Sequence, residues 1–183
     1  MATALEQIMN RGTGFPQSNC VRPRYRLVLS FLGLLILKEV PLSVTLDQAR
    51  IISEAALAKA RELGLKPISV TIMDPRTSLV ACLSEEGVSQ MRWRIAQGKA
   101  NAAIKLGLGT RALMARAEQQ AYFIQAMNGL ADGEFVPVPG GVLILDANGN
   151  LLGAIGISGD TSDNDEAAAL AGIAAAGLVA ETG

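Results

Sequence analysis

The sequence predicts an α+β domain, an antiparallel sheet with helices packed against it. Two stretches, VTIMDPRTSLVACLS and VLILDANGNLLGAIGIS, each read as apolar strand, aspartate, short polar turn and apolar strand, which is the pattern of a β-hairpin. Helical periodicity fills the chain before, between and after them, giving the order α, ββ, αα, ββ, α. No helical crossover separates the strands within either pair, which disfavours a doubly wound parallel sheet.

The first helix is expected over residues 45–63, with Leu46, Ala49, Ile52, Ala56, Leu57, Ala60 and Leu63 at helical spacing. Thr45 and Gln48 form a capping-box pair and Gly64 supplies the stop. Strands follow at 68–74 and 79–84 around the turn PRTS. Residues 89–106 and 111–127 both read as helices, with Thr110 as the N-cap of the second. The second hairpin pairs 142–146 with 151–158, where Asn148-Gly149 supplies a turn with positive φ. The last helix is expected over 160–180, and its body EAAALAGIAAAGLVA is so rich in small residues that it must pack very close to the sheet or to a neighbouring subunit.

Half of the 183 residues are hydrophobic, only 4% are aromatic and the net charge is −1. No basic face of the kind nucleic acid requires is evident. Residues 1–40 stand apart from a domain over 41–183: they carry five Lys/Arg against two acids and the apolar run LVLSFLGLLIL at 27–37. A membrane-spanning helix needs about 20 apolar residues, so this run reads as an extension covering an apolar surface or a subunit contact. The expected location is cytoplasmic, with export or membrane association through residues 22–38 as the alternative.

The chain has no histidine, which removes the commonest metal ligand and general base together. Cys20 and Cys82 match no metal or redox spacing, and Cys82 reads as a small buried hydrophobe. Gly140-Gly141, after FVPVP, either lets backbone amides approach a ligand or turns the chain into the next strand, stiffened by Pro137 and Pro139. Lys99, on the helix IAQGKANAA, either anchors a carboxylate as a point charge or lies solvated with its stem along the apolar face. Asp160, Thr161, Ser162, Asp163, Asp165 and Glu166 read chiefly as a helix start, with Ser162 or Thr161 as N-cap and Asp165 or Glu166 near the third position. Four carboxylates make this a poor phosphate site. Their oxygens suit a hard cation, but the spacing matches no established calcium loop. Trp93 reads as packing in a pocket or subunit contact.

Taken together, VTIMDPRTSLVA, IAQGKANAA and FVPVPGGVLILDANGNLLGAIGISGDTSDNDEAAALAG resemble the GlcG/HbpS-like haem-binding domain, found also as the C-terminal domain of PduO-type corrinoid proteins. The resemblance spans about residues 42–178. It implies a GlcG/HbpS-like α/β/α sandwich: an antiparallel sheet of about five strands with helices on both faces, in a homo-oligomer. It also implies an oligomeric small-molecule-binding protein, in some members for haem or a related tetrapyrrole at the Gly-rich loops. The ligand-binding candidates are then Lys99, Gly140, Gly141, Ser158, Gly159, Asp165 and Glu166, with no protein metal site. With no histidine, haem iron would need Met91, Met73, Tyr122, Lys99, Cys82 or a hydroxyl oxygen such as Thr161 as its axial ligand, or would have none. The alternative is an enzyme or pathway accessory acting on a small organic acid, with Lys99 as anion anchor and Asp165 or Glu166 as acid/base.

Overall fold

Thr45 opens the first helix as its spacing predicts. Its Oγ1 accepts the Gln48 N–H at 3.2 Å while the Gln48 side chain accepts the Thr45 N–H at 2.9 Å. In this computed structural model, which describes residues 42–183, that helix is α1 (Leu46–Glu62). The other elements are β1 (Ser69–Met73), β2 (Leu79–Ser84), α2 (Arg92–Leu106), α3 (Thr110–Gln119), α4 (Ala121–Leu130), β3 (Gly141–Leu145), β4 (Leu151–Ser158), α5 (Ser162–Ala175) and β5 (Val179–Glu181). The expectations for residues 1–40 lie outside the described residues. Among the described residues no helix is long and apolar enough to cross a membrane.

All five strands pair antiparallel in one sheet, in the order β2-β1-β4-β3-β5. Alternation along the strands divides its faces. Val70, Ile72, Val142, Ile144, Leu152, Ile155 and Ile157 form one core with Ala49, Ile52 and Ala56 of α1 and Ala168, Ala169 and Ile173 of α5. On the opposite face Met73, Leu143 and Ala154 meet Ala100 and Ala103 of α2. The fold class is thus the expected one: α+β, with helices on both faces of a five-stranded antiparallel sheet.

The two hairpins are built alike in detail. Asp74 accepts the N–H groups of Arg76 and Ser78, each at 2.8 Å, and Asp146 accepts those of Asn148 and Asn150, also at 2.8 Å. The third residue after each aspartate has positive φ, +64° at Thr77 and +81° at Gly149. Each hairpin also has a register irregularity just before its turn, at Ile72/Met73 and Ile144/Leu145. Each aspartate therefore acts as the side-chain bracket of its turn.

Small residues set the spacing between layers. Gly141 and Gly156 lie opposite each other on β3 and β4, making a flat spot that α2 crosses. A Cβ on Gly141 would stand 2.5 Å from the Lys99 carbonyl oxygen, and one on Gly156 would collide with the Ala96 carbonyl. On the other face Gly172 of α5 sits against the Ile52 carbonyl of α1. The Ala-rich last helix thus packs closely within the chain.

Four local expectations are corrected. The helix expected over 160–180 ends at Ala175. Gly177, at φ +68°, donates to Ala174 O and Leu178 donates to Ile173 O, a Schellman closure that frees Val179–Glu181 to pair with β3 as the fifth strand. The helix expected over 111–127 is two, broken at Gln120, whose φ of −137° and ψ of 57° are not helical. The break turns Leu113 and Ile124 into one cluster with Ala102 and Phe135, so packing overrides local propensity. Thr110 is not an N-cap: Gly109 occupies that place. Cys82 is exposed, because β2 is an edge strand and an apolar run does not reveal which of its faces is covered.

Candidate functional site

The residues singled out at 99, 140–141, 158–159 and 165–166 converge in space, and all of them are buried. Lys99 is 2% exposed; α2 carries it inward beneath the loop that enters β3. Its Nζ donates to Asp165 Oδ2 at 2.8 Å, and Asp165 Oδ1 accepts the Asp160 N–H at 3.2 Å. Gly140, at φ +108°, lies directly over this pair: a Cβ there would stand 2.9 Å from both Lys99 Nζ and Asp165 Cβ. A residue other than glycine would meet both the left-handed backbone and the ion pair. The solvated reading of Lys99 is therefore overturned. Burial pushes its pKa below 10.5, against the opposing pull of the Asp165 carboxylate.

The neighbouring shell ties three more segments to this point. Thr110 Oγ1 accepts the Gly141 N–H at 2.8 Å and donates to the Gly141 carbonyl at 3.0 Å. Arg111 donates from Nε to Glu166 Oε1 at 2.8 Å and from Nη2 to Asp163 Oδ1 at 2.6 Å; these two hydrogen bonds hold its pKa above the usual guanidinium value. Glu166 Oε2 is buried without a partner among the described residues. Ser158 Oγ accepts from Arg92 Nη1 at 3.2 Å, and Gly159 is pressed against the Pro67 carbonyl. The acidic run thus serves two ends. Thr161 is the N-cap, accepting the Asn164 N–H at 3.4 Å. Asp165 and Glu166 instead turn inward, the first to Lys99 and the second to Arg111, so neither caps the helix.

Asp160 brackets the start of α5 from outside. It accepts the N–H groups of Thr161 (2.8 Å) and Lys66 (3.1 Å) and the Asn164 side-chain amide (2.7 Å). The Thr161 amide first, then the Asn164 side chain and the Lys66 amide, lower its pKa from 3.8 to about 2. A carboxylate with a depressed native pKa contributes stability that is fully present above the unfolded value and is lost as pH falls through the native one. The stability difference between wild type and Asp160→Asn is therefore expected to hold constant above pH 3.8 and to disappear as pH falls to about 2. Urea titrations across that range check it, and a difference that persisted unchanged at pH 2 would refute the bracket.

An open groove of about 350 Å³ lies on the outer side of α2, against residues 131–136. Met91, Arg94, Gln97 and Gly98 line one wall, and Asp132 and Glu134 line the other. Glu134 Oε2 accepts from Asn101 Nδ2 at 3.1 Å and from Gln97 Nε2 at 3.5 Å, and the Val136 N–H donates to Gly98 O at 3.1 Å. Asn101 is 2% exposed, and its Oδ1 has no donor among the described residues. Sequence reasoning named Met91 only as an iron ligand and missed Arg92, Arg94, Arg111, Asn101 and Glu134. The side-chain hydrogen-bond partners of Arg92, Asn101, Arg111 and Glu134 stand 33 or more positions away in the chain, and Arg94 lies over the ring of its neighbour Trp93; no local pattern marks these residues. No group of three or more His, Cys, Asp or Glu able to hold a metal occurs among the described residues.

A family model described as "Haem degrading protein HbpS-like" matches residues 44–174. The chain belongs to the HbpS-like family. No curated protein matches this HbpS-like chain in sequence; solved structures do. The PduOC:heme complex superimposes with a TM-score of 0.68 at 23% identity, covering 75% of this chain and 97% of that one. Klebsiella pneumoniae ORFY gives 0.67 at 20% identity, covering 80% and 99%. HbpS of Streptomyces reticuli, as a double mutant, gives 0.61 at 24%, covering 82% and 97%. At such identities these similarities establish the HbpS-like fold.

Iron would find few ligands here. Met73 and Lys99 are buried, and Thr161 caps α5. Cys82 lies on the β2 edge with Thr71 Oγ1 at 3.5 Å from its Sγ. Tyr122 is exposed on α4, away from the groove lining. Among the described residues that line the groove, Met91 is the one soft iron ligand, and Arg94 lines the same groove.

Proposed function

We propose that this protein is a small-molecule binder of the HbpS-like family, with a haem-like tetrapyrrole as its ligand class. The observation that carries the reading is the groove beside α2, where Met91 and Arg94 share a wall. Its volume of about 350 Å³ sits at the lower end of small-molecule sites, so a planar ring would enter by one edge. The cationic Arg94 would meet a propionate and Met91 would lie against the ring, or supply a thioether if iron is present. A bound haem would bring redox chemistry; the chain's own part is to hold and orient the ring. The residues named at 99, 140–141, 158–159 and 165–166 would act behind this surface by fixing α2 and the glycine loops. The solved haem complex of a structural relative supports the ligand class. Assembly into a homo-oligomer remains part of the proposal.

Trp93 is the only tryptophan and lies between two groove residues, Met91 and Arg94, so its fluorescence reports occupancy. Titration with haemin, protoporphyrin IX and biliverdin is expected to give saturable quenching at fixed stoichiometry with at least one of them. Linear, non-saturating quenching with all three would remove the reading.

A further inference from the structure

We infer that the open edge of β2 docks on the β2 edge of a second copy of this chain, paired antiparallel about a twofold axis. The inference rests on the homo-oligomer proposed above and gives it a surface; it does not depend on the ligand. The sheet order β2-β1-β4-β3-β5 leaves two edges among the described residues. Natural sheets guard their edges with short strands, charge, proline or bulges, because unpaired backbone groups recruit other strands. β5 is guarded, being three residues long with Glu181 at its end. β2 runs for six residues, LVACLS, with no charge and no proline. Its one register irregularity lies opposite Ile72 and Met73, at the start of the strand, and leaves 81–84 regularly paired. Leu79 is 59% and Leu83 42% exposed, and Cys82 between them is exposed as well.

The ladder fixes which backbone groups face outward. The Glu85 N–H donates to Ile68 O at 3.1 Å, and successive residues of an antiparallel strand bond alternately to either side. Leu83 and Ala81 therefore bond inward to β1, while the N–H and C=O groups of Ser84 and Cys82 face the open edge. Cys82 is the outward residue nearer the middle of the strand. A twofold axis beside it pairs each Cys82 N–H with the C=O of the partner's Cys82 and keeps most of both strands side by side. Such an isologous contact requires a surface complementary to itself, and the charges around β2 meet that condition. Arg76 stands exposed in the turn before the strand and Glu86 exposed just after it. Arg76 contacts only its own Asp74, and Glu86 has no ion-pair partner among the described residues. Antiparallel pairing brings the Arg76 turn of one copy towards Glu86 of the other at both ends of the contact, whereas parallel pairing would set like charges together. This self-complementarity favours a second copy over an unrelated strand.

The test uses the full chain with Cys20→Ser, which leaves Cys82 as its one thiol. Light scattering is expected to report a dimer or a larger even-numbered assembly. Mild oxidation is expected to link subunits through Cys82, because residues that exchange both hydrogen bonds have Cα atoms about 5.5 Å apart, inside the range a disulfide spans. Leu83→Lys is expected to weaken self-association about tenfold, with circular dichroism confirming that it folds. Arg76→Glu and Glu86→Arg, both at exposed positions, are each expected to weaken it about fivefold, the scale of two surface ion pairs. The double reversal should restore it, a recovery that damage to the fold would not give. An assembly unchanged in Leu83→Lys and without a Cys82 disulfide would overturn the β2 contact while leaving the homo-oligomer standing. A monomeric protein would remove both, and the ligand titrations described above would still decide the binding function separately.

Discussion

Gly156→Val is expected to abolish the native fold, and Gly156→Ala to destabilise it by about 1–3 kcal/mol or more. The cause is backbone contact. A Cβ at 156 would collide with the Ala96 carbonyl and stand 2.9 Å from the Ala100 amide nitrogen. Backbone cannot rotate away as a side chain can, so α2 must lift off the sheet. Lifting it would open the contacts of Ala100 and Ala103 with Met73, Leu143 and Ala154, and would move both the buried Lys99 and the groove wall. Natural domains are stable by only about 5–15 kcal/mol, so the valine variant has little margin. Gly129→Ala is the matched control. Gly129 lies in α4 with open space where its Cβ would go, so alanine there is expected to stabilise by about 0.5–1 kcal/mol. Urea denaturation followed by circular dichroism separates the two, and an unchanged midpoint for Gly156→Ala would defeat the close-approach argument.

The second large effect concerns the buried ion pair. Lys99 and Asp165 side chains are each 2% exposed and bonded at 2.8 Å. Removing one partner leaves an uncompensated charge in the interior, which costs about 3–5 kcal/mol, whereas replacing both by apolar groups of similar size is often neutral. Lys99→Met and Asp165→Leu are each expected to lose stability on that scale, and the double variant to regain most of it. Additive losses in the double variant would contradict this account. The pH dependence has a definite sign. Burial places the native pKa of Lys99 below 10.5, so the unfolded chain holds that proton more tightly. Below the native value both states are protonated and the cost of burying the charge is fully present. As pH rises from the native value towards 10.5 that cost is relieved. Wild type should therefore gain stability relative to Lys99→Met across that window.

These two sites explain why the glycine-rich run was readable as important but not as what it is. PGG and GAIG attracted attention as loops that could admit a ligand. In the fold, Gly141 and Gly156 admit a helix, and Gly140 roofs an ion pair. The chemistry of close approach is the same for a ligand and for a neighbouring backbone, so sequence alone left the two open. Asp165 and Glu166 were placed in the first turn of α5 as caps. A helix start does favour acids, yet one turn presents several directions, and only the position of α2 and α3 turns these two inward to Lys99 and Arg111.

What the sequence determined by itself was everything governed by neighbours within a few residues. The capping box of α1, the two hairpins with an aspartate before each turn and the absence of histidine were all legible, because hydrogen bonds and φ preferences at that range depend on local residue types. The family resemblance added the five-stranded sheet. Only the tertiary structure decided the rest. It split one helix at Gln120, pulled Val179–Glu181 out of another to become β5, exposed Cys82 on an edge, and buried Lys99 against an aspartate 66 residues away. The groove, too, forms only when Gln97 and Asn101 meet Glu134. Those outcomes depend on which surfaces meet after the chain has folded. Burial and long-range charge pairing belong to that assembled packing, and local residue preferences do not encode them.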